Sequence, residues 1–312
     1  MVFRTWQVAT LLAAVLFAPA CHALKFKSIE DDSILLIYDC GTLGFPDERG
    51  AEGCRNFEKG FAAQRKPPEG DYAGDSAVLK RILSKSNHYR QVWLHSGGGN
   101  LIEGIGVGAV LREFNQYVYV PKGARCVSAC TVAFLGGRLR DVHPEGSYEV
   151  HAYSGLLNLT AAQVAPLMQP DGEFELDGFA GVSSENGRKW AKRLFVYAQS
   201  MIGGSPDAAA VERTLASVPD LKRSYRTSGQ LERDLIAIHR DGAATAQEVL
   251  MRIEREAFNS ALSAIKNDVG SLGERAGPAV TMLEIMFSSR ITGTSVLDQT
   301  TLRERGYINV RR

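Results

Sequence analysis

Three kinds of residue in this chain could together do chemistry on a carbonyl group. Ser96-Gly97-Gly98-Gly99 is a glycine turn, Ser128 lies between Cys126 and Cys130, and His151 follows. A serine hydroxyl is a weak nucleophile until a base takes its proton. Neutral imidazole suits that task, because it titrates near neutral pH and can both accept and return a proton. A glycine turn lets backbone N–H groups approach a substrate with no Cβ in the way. Such N–H groups offset the charge that acyl transfer places on oxygen. Each group also has a plainer reading. The serine suits a tight buried turn or a helix cap, the histidine a packed core site, and the glycines a simple strand-to-helix turn. His22, His95, His143 and His239 compete with His151. Of these, His95 reads as a buried strand-end residue and His143 as a loop residue.

Short apolar runs place these groups. Val92–His95 ends at the glycine turn, Tyr117–Val120 leads through Pro121-Lys122-Gly123 into Cys126-Val127-Ser128-Ala129-Cys130, and Tyr148–Val150 ends at His151. Brief β-rich runs separated by helices suggest a parallel α/β sheet. In such sheets ligands gather at the carboxyl ends of the strands, so the glycines, the serine and the histidine are expected at one edge. Thr131–Leu135 suits a short helix whose N-terminus would favour negative charge near Ser128. Upstream, Ser33–Asp39 reads as a buried first strand and Gly41–Asp71 as a long loop. Asp75 caps a helix to about Lys85, with Leu79, Ile82 and Leu83 on one face. Glu103–Phe114 reads as a second helix, with Leu101 and Ile102 packed beneath it.

The stretch HSGGGNLIEG, the CVSAC turn and EVHAY resemble, in order and spacing, three motifs of the Clp protease proteolytic subunit and signal peptide peptidase A superfamily. The likeness is to the secreted bacterial relatives of those proteases. LDQTTLRERGYI is similar to the segment that closes the family's fold. The resemblance covers about 60 residues strongly and implies a Clp/crotonase-like superhelix of parallel strands. It implies Ser128 as nucleophile, His151 beside it as base, and the N–H groups of Gly99 and Ala129 as the oxyanion hole. It implies a peptide or protein substrate, hydrolysis without ATP, and assembly into a homo-oligomer. Two departures stand out. Gly97 occupies a place where many relatives carry proline. The aspartate expected near Ile291–Ser295 is missing; Asp298 is displaced, Glu284 lies earlier, and no lysine stands where signal peptide peptidases carry their base. No third catalytic residue is therefore assigned. The alternative is a catalytically inactive binding or assembly protein on the same fold. A thioester-acting enzyme of crotonase type fits a secreted protein less well.

Outside the motifs, Met1–Ala23 has the Arg4 n-region, the apolar Val8–Phe17 run and small residues of a secretory signal peptide. Cleavage after Ala23 is favoured over Ala20, and an uncleaved anchor is the alternative. The mature protein is expected in the periplasm, with no stable membrane insertion. The expected layout is 1–23 signal peptide, 24–153 α/β core, 154–290 helical insertion and 291–312 closing segment. Leu157–Met168, Arg188–Ile202, Asp207–Ser217, Ser228–Ile238, Thr245–Asn267 and Ala279–Phe287 read as helices, and Gln169–Asn186, rich in Gly, Asp and Ser, as a loop. The net charge of +1, from 36 Lys and Arg against 35 Asp and Glu, gives no reason to expect nucleic acid. No HExxH or paired CxxC argues for a metal, the glycine turn lacks the ending of a phosphate loop, and no cofactor is implied. Signal cleavage would leave Cys40, Cys54, Cys126 and Cys130. An even count in an oxidising compartment suggests disulfides, with three pairings open. Cys40–Cys54 with Cys126–Cys130 is favoured. The second bridge requires Cys126 to stand in the strand-to-helix turn, since i,i+4 Cβ atoms of a regular helix lie about 5–6 Å apart and a disulfide needs about 3.5–4.5 Å.

Overall fold

The computed structural model describes residues 24–29, 33–39, 74–86, 88–152, 164–169, 171–287 and 294–310. The expected signal peptide, the loop over Gly41–Asp71, Cys40, Cys54 and the start of the helix expected at Leu157 lie outside them. In chain order come β1 (Lys25–Ile29), β2 (Ile34–Asp39), α1 (Asp75–Lys85), β3 (Gln91–Ser96), α2 (Leu101–Glu113), β4 (Tyr117–Val120) and β5 (Arg125–Val127). Then follow α3 (Ala129–Leu135), β6 (Leu139–Val142), β7 (Ser147–Val150), a 3-10 turn at Ala165–Met168, α4 (Gly172–Met201) and α5 (Ala208–Ala216). The rest are α6 (Leu221–Thr227), α7 (Gln230–Asp241), α8 (Ala243–Asn267), a 3-10 turn at Val269–Ser271, α9 (Ala276–Phe287), β8 (Ser295–Val296) and α10 (Gln299–Glu304). No described helix is long and apolar enough to cross a membrane.

Contacts divide the chain into two compact units. The described residues of the sheet unit fall within Ala20–His151, Tyr197–Gly204 and Thr281–Arg312. Its sheet is mixed and mostly parallel. β2 runs parallel to β3, β3 to both β4 and β5, β4 to β6, and β5 to β7. The two flanking strands are antiparallel, β1 on β2 and β8 on β7, so the parallel expectation holds for the interior only. β2 is buried at every residue, as a continuous apolar run covered on both faces should be. The sheet forks at β3. Gln91–Trp93 pair with Tyr117–Tyr119 of β4, whereas Ser96 pairs with Cys126 of β5. Pro121 marks the fork: it has no N–H for a ladder, and the chain turns there, with Ala124 N–H donating to the Pro121 carbonyl.

α2 begins earlier than its apolar periodicity suggests. Asn100 caps it by accepting from the Ile102 N–H at 2.8 Å, so Leu101 and Ile102 lie inside the helix, and Ile102 is exposed, not packed beneath it. The glycines of α2 let it press onto α3. A Cβ at Gly104 would stand 2.6 Å from the Ala129 carbonyl oxygen, and one at Gly108 would stand 3.1 Å from that of Ala133. The chain's end covers β6. Asn309 accepts from the Arg140 N–H at 2.7 Å and its own N–H donates back to the Arg140 carbonyl at 3.0 Å. The Arg140 side chain is buried and donates to the carbonyls of Leu135, Gly137, Gly306 and Tyr307.

The second unit comprises Ala152–Val196 and Ser205–Val280 in its described part, and every described element between Ala165 and Val280 is helical. Its core gathers Leu176, Tyr225, Leu231, Ile238, Leu250 and Ile253. From Gly172 on, the loop expected over Gln169–Asn186 is instead the first half of α4. Polar residues hid a buried stripe of Leu176 and Ala180, and Asp177 is tied to Arg226 and Lys222. Gly187 belongs to a helix crossing, since a Cβ there would lie 2.6 Å from the Ala257 backbone. β1, β6 and α6 went unread in the sequence.

Candidate active site

Strand register alone brings the three groups together. Cys126 of β5 lies opposite Ser96 of β3 and opposite Tyr148 of β7, and Val127 lies opposite Glu149. These strands run parallel, so their carboxyl ends share one edge. One residue past β3 the glycine turn begins, one past β5 is Ser128, and one past β7 is His151. The Ser128 N–H donates to the Glu149 carbonyl at 3.0 Å, which extends the ladder to the turn itself. His151 Nε2 then stands 2.6 Å from Ser128 Oγ. With the ring proton on Nδ1, the serine hydroxyl donates to Nε2, the arrangement a general base requires. Both residues are half-buried and Gly99 is exposed, so the pair is open to solvent.

Ser128 takes φ 56° and ψ −122°, outside the left-handed well that non-glycine residues sometimes occupy. Such a backbone costs about 1–3 kcal/mol and persists only where its surroundings hold it. Several groups do so. Thr131 donates to the Ser128 carbonyl through its N–H at 2.9 Å and through Oγ1 at 2.5 Å. Cys126 and Cys130 are joined by a disulfide with Cα atoms 5.2 Å apart. Gly98, at φ 98°, lies against the turn so closely that a Cβ there would meet Ser128 Cβ and the Val127 carbonyl oxygen, each at 2.6 Å. Ser128 stands at the N-cap position of α3, yet its side chain makes no capping bond.

Among the described residues the N–H groups of Gly99 and Ala129 have no backbone acceptor. The Gly98 N–H, by contrast, donates to Ser96 Oγ at 3.1 Å.

Beneath the site lies a polar network the sequence did not announce. Glu149 is buried two residues before His151. Arg125 grips its carboxylate with Nε and Nη2 at 2.7 and 2.8 Å, Ser147 Oγ donates to it at 2.6 Å, and Thr294 Oγ1 at 2.9 Å. Burial pushes the Glu149 pKa up, but these hydrogen bonds and the Arg125 charge outweigh it and hold the carboxyl below its usual range. The available signal was a charged residue in an otherwise apolar strand, one alternation before the histidine. Thr294, in the segment searched for a third catalytic residue, is thus bound to Glu149. Asp298 is occupied as the cap of α10, accepting from the Thr301 N–H at 2.8 Å. Two competing histidines have other work. His95 is buried, Nδ1 accepts the Arg125 N–H at 3.0 Å, and burial with the nearby Arg125 charge lowers its pKa to about 4. His143 Nδ1 accepts the Glu145 N–H. Among the described residues no three His, Cys, Asp or Glu converge on a metal site.

The arrangement can activate a hydroxyl and present backbone N–H groups at one strand edge. No family model, curated protein or solved structure matches the chain.

Proposed function

We propose that the chain is a serine peptidase-like hydrolase that works without ATP, on the Clp/crotonase-like plan its motifs suggest. One observation carries the reading: His151 Nε2 lies 2.6 Å from the Oγ of a serine in a strained strand-to-helix turn. A serine serving only as a helix cap would point its oxygen at backbone N–H groups, and this one does not.

In the proposed reaction Ser128 Oγ attacks the carbonyl carbon of a peptide or protein substrate, and His151 Nε2 takes the hydroxyl proton. The oxyanion that forms is met by the N–H groups of Gly99 and Ala129. When the tetrahedral intermediate collapses, His151 returns the proton to the leaving amine. Water activated by the same imidazole then releases the acyl group. General-base assistance of this kind contributes about 10²–10⁴-fold. The bridge at Cys126–Cys130 supports a site of action in an oxidising compartment, and with the signal-like N-terminus the periplasm is the proposed location.

The test is hydrolysis of a fluorogenic peptide library without nucleotide. Wild type should cleave part of it, Ser128→Ala should not, and His151→Ala should lose about 10²–10⁴-fold, all with unchanged circular dichroism. Cleavage by Ser128→Ala at the wild-type rate would remove Ser128 from the chemistry.

A further inference from the structure

We propose that the Cys126–Cys130 bridge is the positioning device of the nucleophile, and that its closure switches the site on. The inference rests on reading Ser128 as that nucleophile. The bridge spans the strained residue and little else: Cys126 is the middle residue of β5, Cys130 sits in the first turn of α3, and Ser128 is midway. Besides the packing of Gly98 against it, the other restraints on the turn are hydrogen bonds. The Ser128 N–H reaches Glu149, and Thr131 reaches the Ser128 carbonyl. Each of these can be exchanged for water if the backbone relaxes to negative φ. The covalent link cannot, so the bridge keeps the relaxed turn rare.

Both bridged residues are buried, Cys126 at 0% exposure between β3 and β7 and Cys130 at 6% in α3. Thiol–disulfide exchange requires a thiolate to reach a sulfur. The bridge is therefore made while the chain folds and is shielded afterwards. In that step two cysteine thiols lose two protons and two electrons to form the S–S bond. A disulfide oxidant, such as oxidised glutathione or a protein disulfide, accepts the electrons and is reduced to two thiols. A chain that folds where thiols stay reduced keeps Ser128 in a relaxed turn, with Oγ away from His151. A chain that folds under oxidising conditions acquires the paired geometry. The consequence is a hydrolase that is dormant in the compartment where it is made and active where it is delivered.

The experiment refolds the full chain from denaturant with oxidised glutathione or with dithiothreitol, confirms folding by circular dichroism, and measures the rate of fluorophosphonate labelling at Ser128. The reduced form should label roughly 5- to 150-fold more slowly, the range that corresponds to release of one strained backbone. Unfolding the reduced protein and refolding it with oxidised glutathione should restore the rate. A Cys126→Val/Cys130→Ala variant, which keeps the core filled, should label slowly in both buffers. Equal rates for folded oxidised and reduced protein overturn the inference and leave the nucleophile reading intact. Absence of labelling even in oxidised wild type overturns both. Failure of both the reduced chain and the filled variant to fold also overturns it, because the bridge would then hold the fold and not the turn.

Discussion

Replacing Gly98 by alanine should silence the site while most of the fold survives. The added Cβ would stand 2.6 Å from Ser128 Cβ and 2.6 Å from the Val127 carbonyl oxygen, and the second of these is backbone that cannot swing away. The φ of 98° adds a second penalty, because an L side chain rarely adopts it. The left-handed backbone costs roughly 1–2 kcal/mol and the overpacking roughly 1–3 kcal/mol, so about 2–5 kcal/mol together. Domains are commonly stable by about 5–15 kcal/mol, so a folded population is expected to remain. The strain is relieved by pushing the Ser128 turn aside, and a displacement on the order of 1 Å at a reacting atom costs on the order of 10²-fold. Gly99→Ala separates the two penalties. Gly99 has φ 130° but a Cβ there meets nothing within 4 Å, so it carries the backbone cost alone. Urea denaturation of both variants, with fluorophosphonate labelling of Gly98→Ala, makes the comparison. Equal stability of the two variants, or wild-type labelling of Gly98→Ala, would refute the close packing of the glycine turn on the nucleophile.

Three further outcomes are expected. Glu149→Gln should cost about 1–3 kcal/mol by weakening the grip of Arg125, Ser147 and Thr294. It should also flatten the acid limb of the stability curve. A carboxyl with a depressed folded pKa stabilises fully above its unfolded value of about 4.5, and that contribution is lost as pH falls through the folded pKa. An unchanged acid limb would contradict this. His95, with its pKa lowered to about 4, should show flat imidazole NMR shifts from pH 8 to 5. Because the unfolded chain takes up this proton below about pH 6.5 and the folded one does not, stability should fall by roughly 3 kcal/mol between pH 6.5 and 4. A midpoint near 6.5 would show that the residue is open to solvent. Arg140→Met should leave the carbonyls of Leu135, Gly137, Gly306 and Tyr307 without their donor. A loss of about 3 kcal/mol or more is expected in urea, with faster amide exchange over residues 306–310. A loss under about 1 kcal/mol would mean that water replaces the guanidinium.

The site was more legible than the fold around it. Ser128 and His151 each follow a short apolar run, and parallel strands in register carry such residues to one edge, so spacing along the chain translated directly into proximity. The bridge across Ser128 was legible for the same reason: a strand-to-helix turn, unlike a helix, brings i and i+4 cysteines within bonding reach. What escaped was set by tertiary partners. Glu149 looked like one charge in a strand until Arg125, Ser147 and Thr294 surrounded it, and these come from three strands or strand ends. The first half of α4 looked like a loop because Gly178, Gly181, Ser183 and Ser184 lower helix propensity; packing of Leu176 and Ala180 overrides it. The outer strand β6 carries Arg140 and Asp141 where an apolar run was sought, because its burial comes from the chain's own C-terminal segment. The reason for the glycines of α2 lies in its neighbours: Gly104 and Gly108 make room for α3, and a Cβ at Gly106 would meet Ser76 of α1 at 2.9 Å.

The most direct test of the central claim is the mass of the oxidised protein after reaction with a fluorophosphonate, followed by peptide mapping. A single adduct on Ser128 is expected, absent in Ser128→Ala and formed about 10²–10⁴-fold more slowly in His151→Ala. An adduct on another residue, or none on a protein whose Cys126–Cys130 bridge is closed, would contradict it.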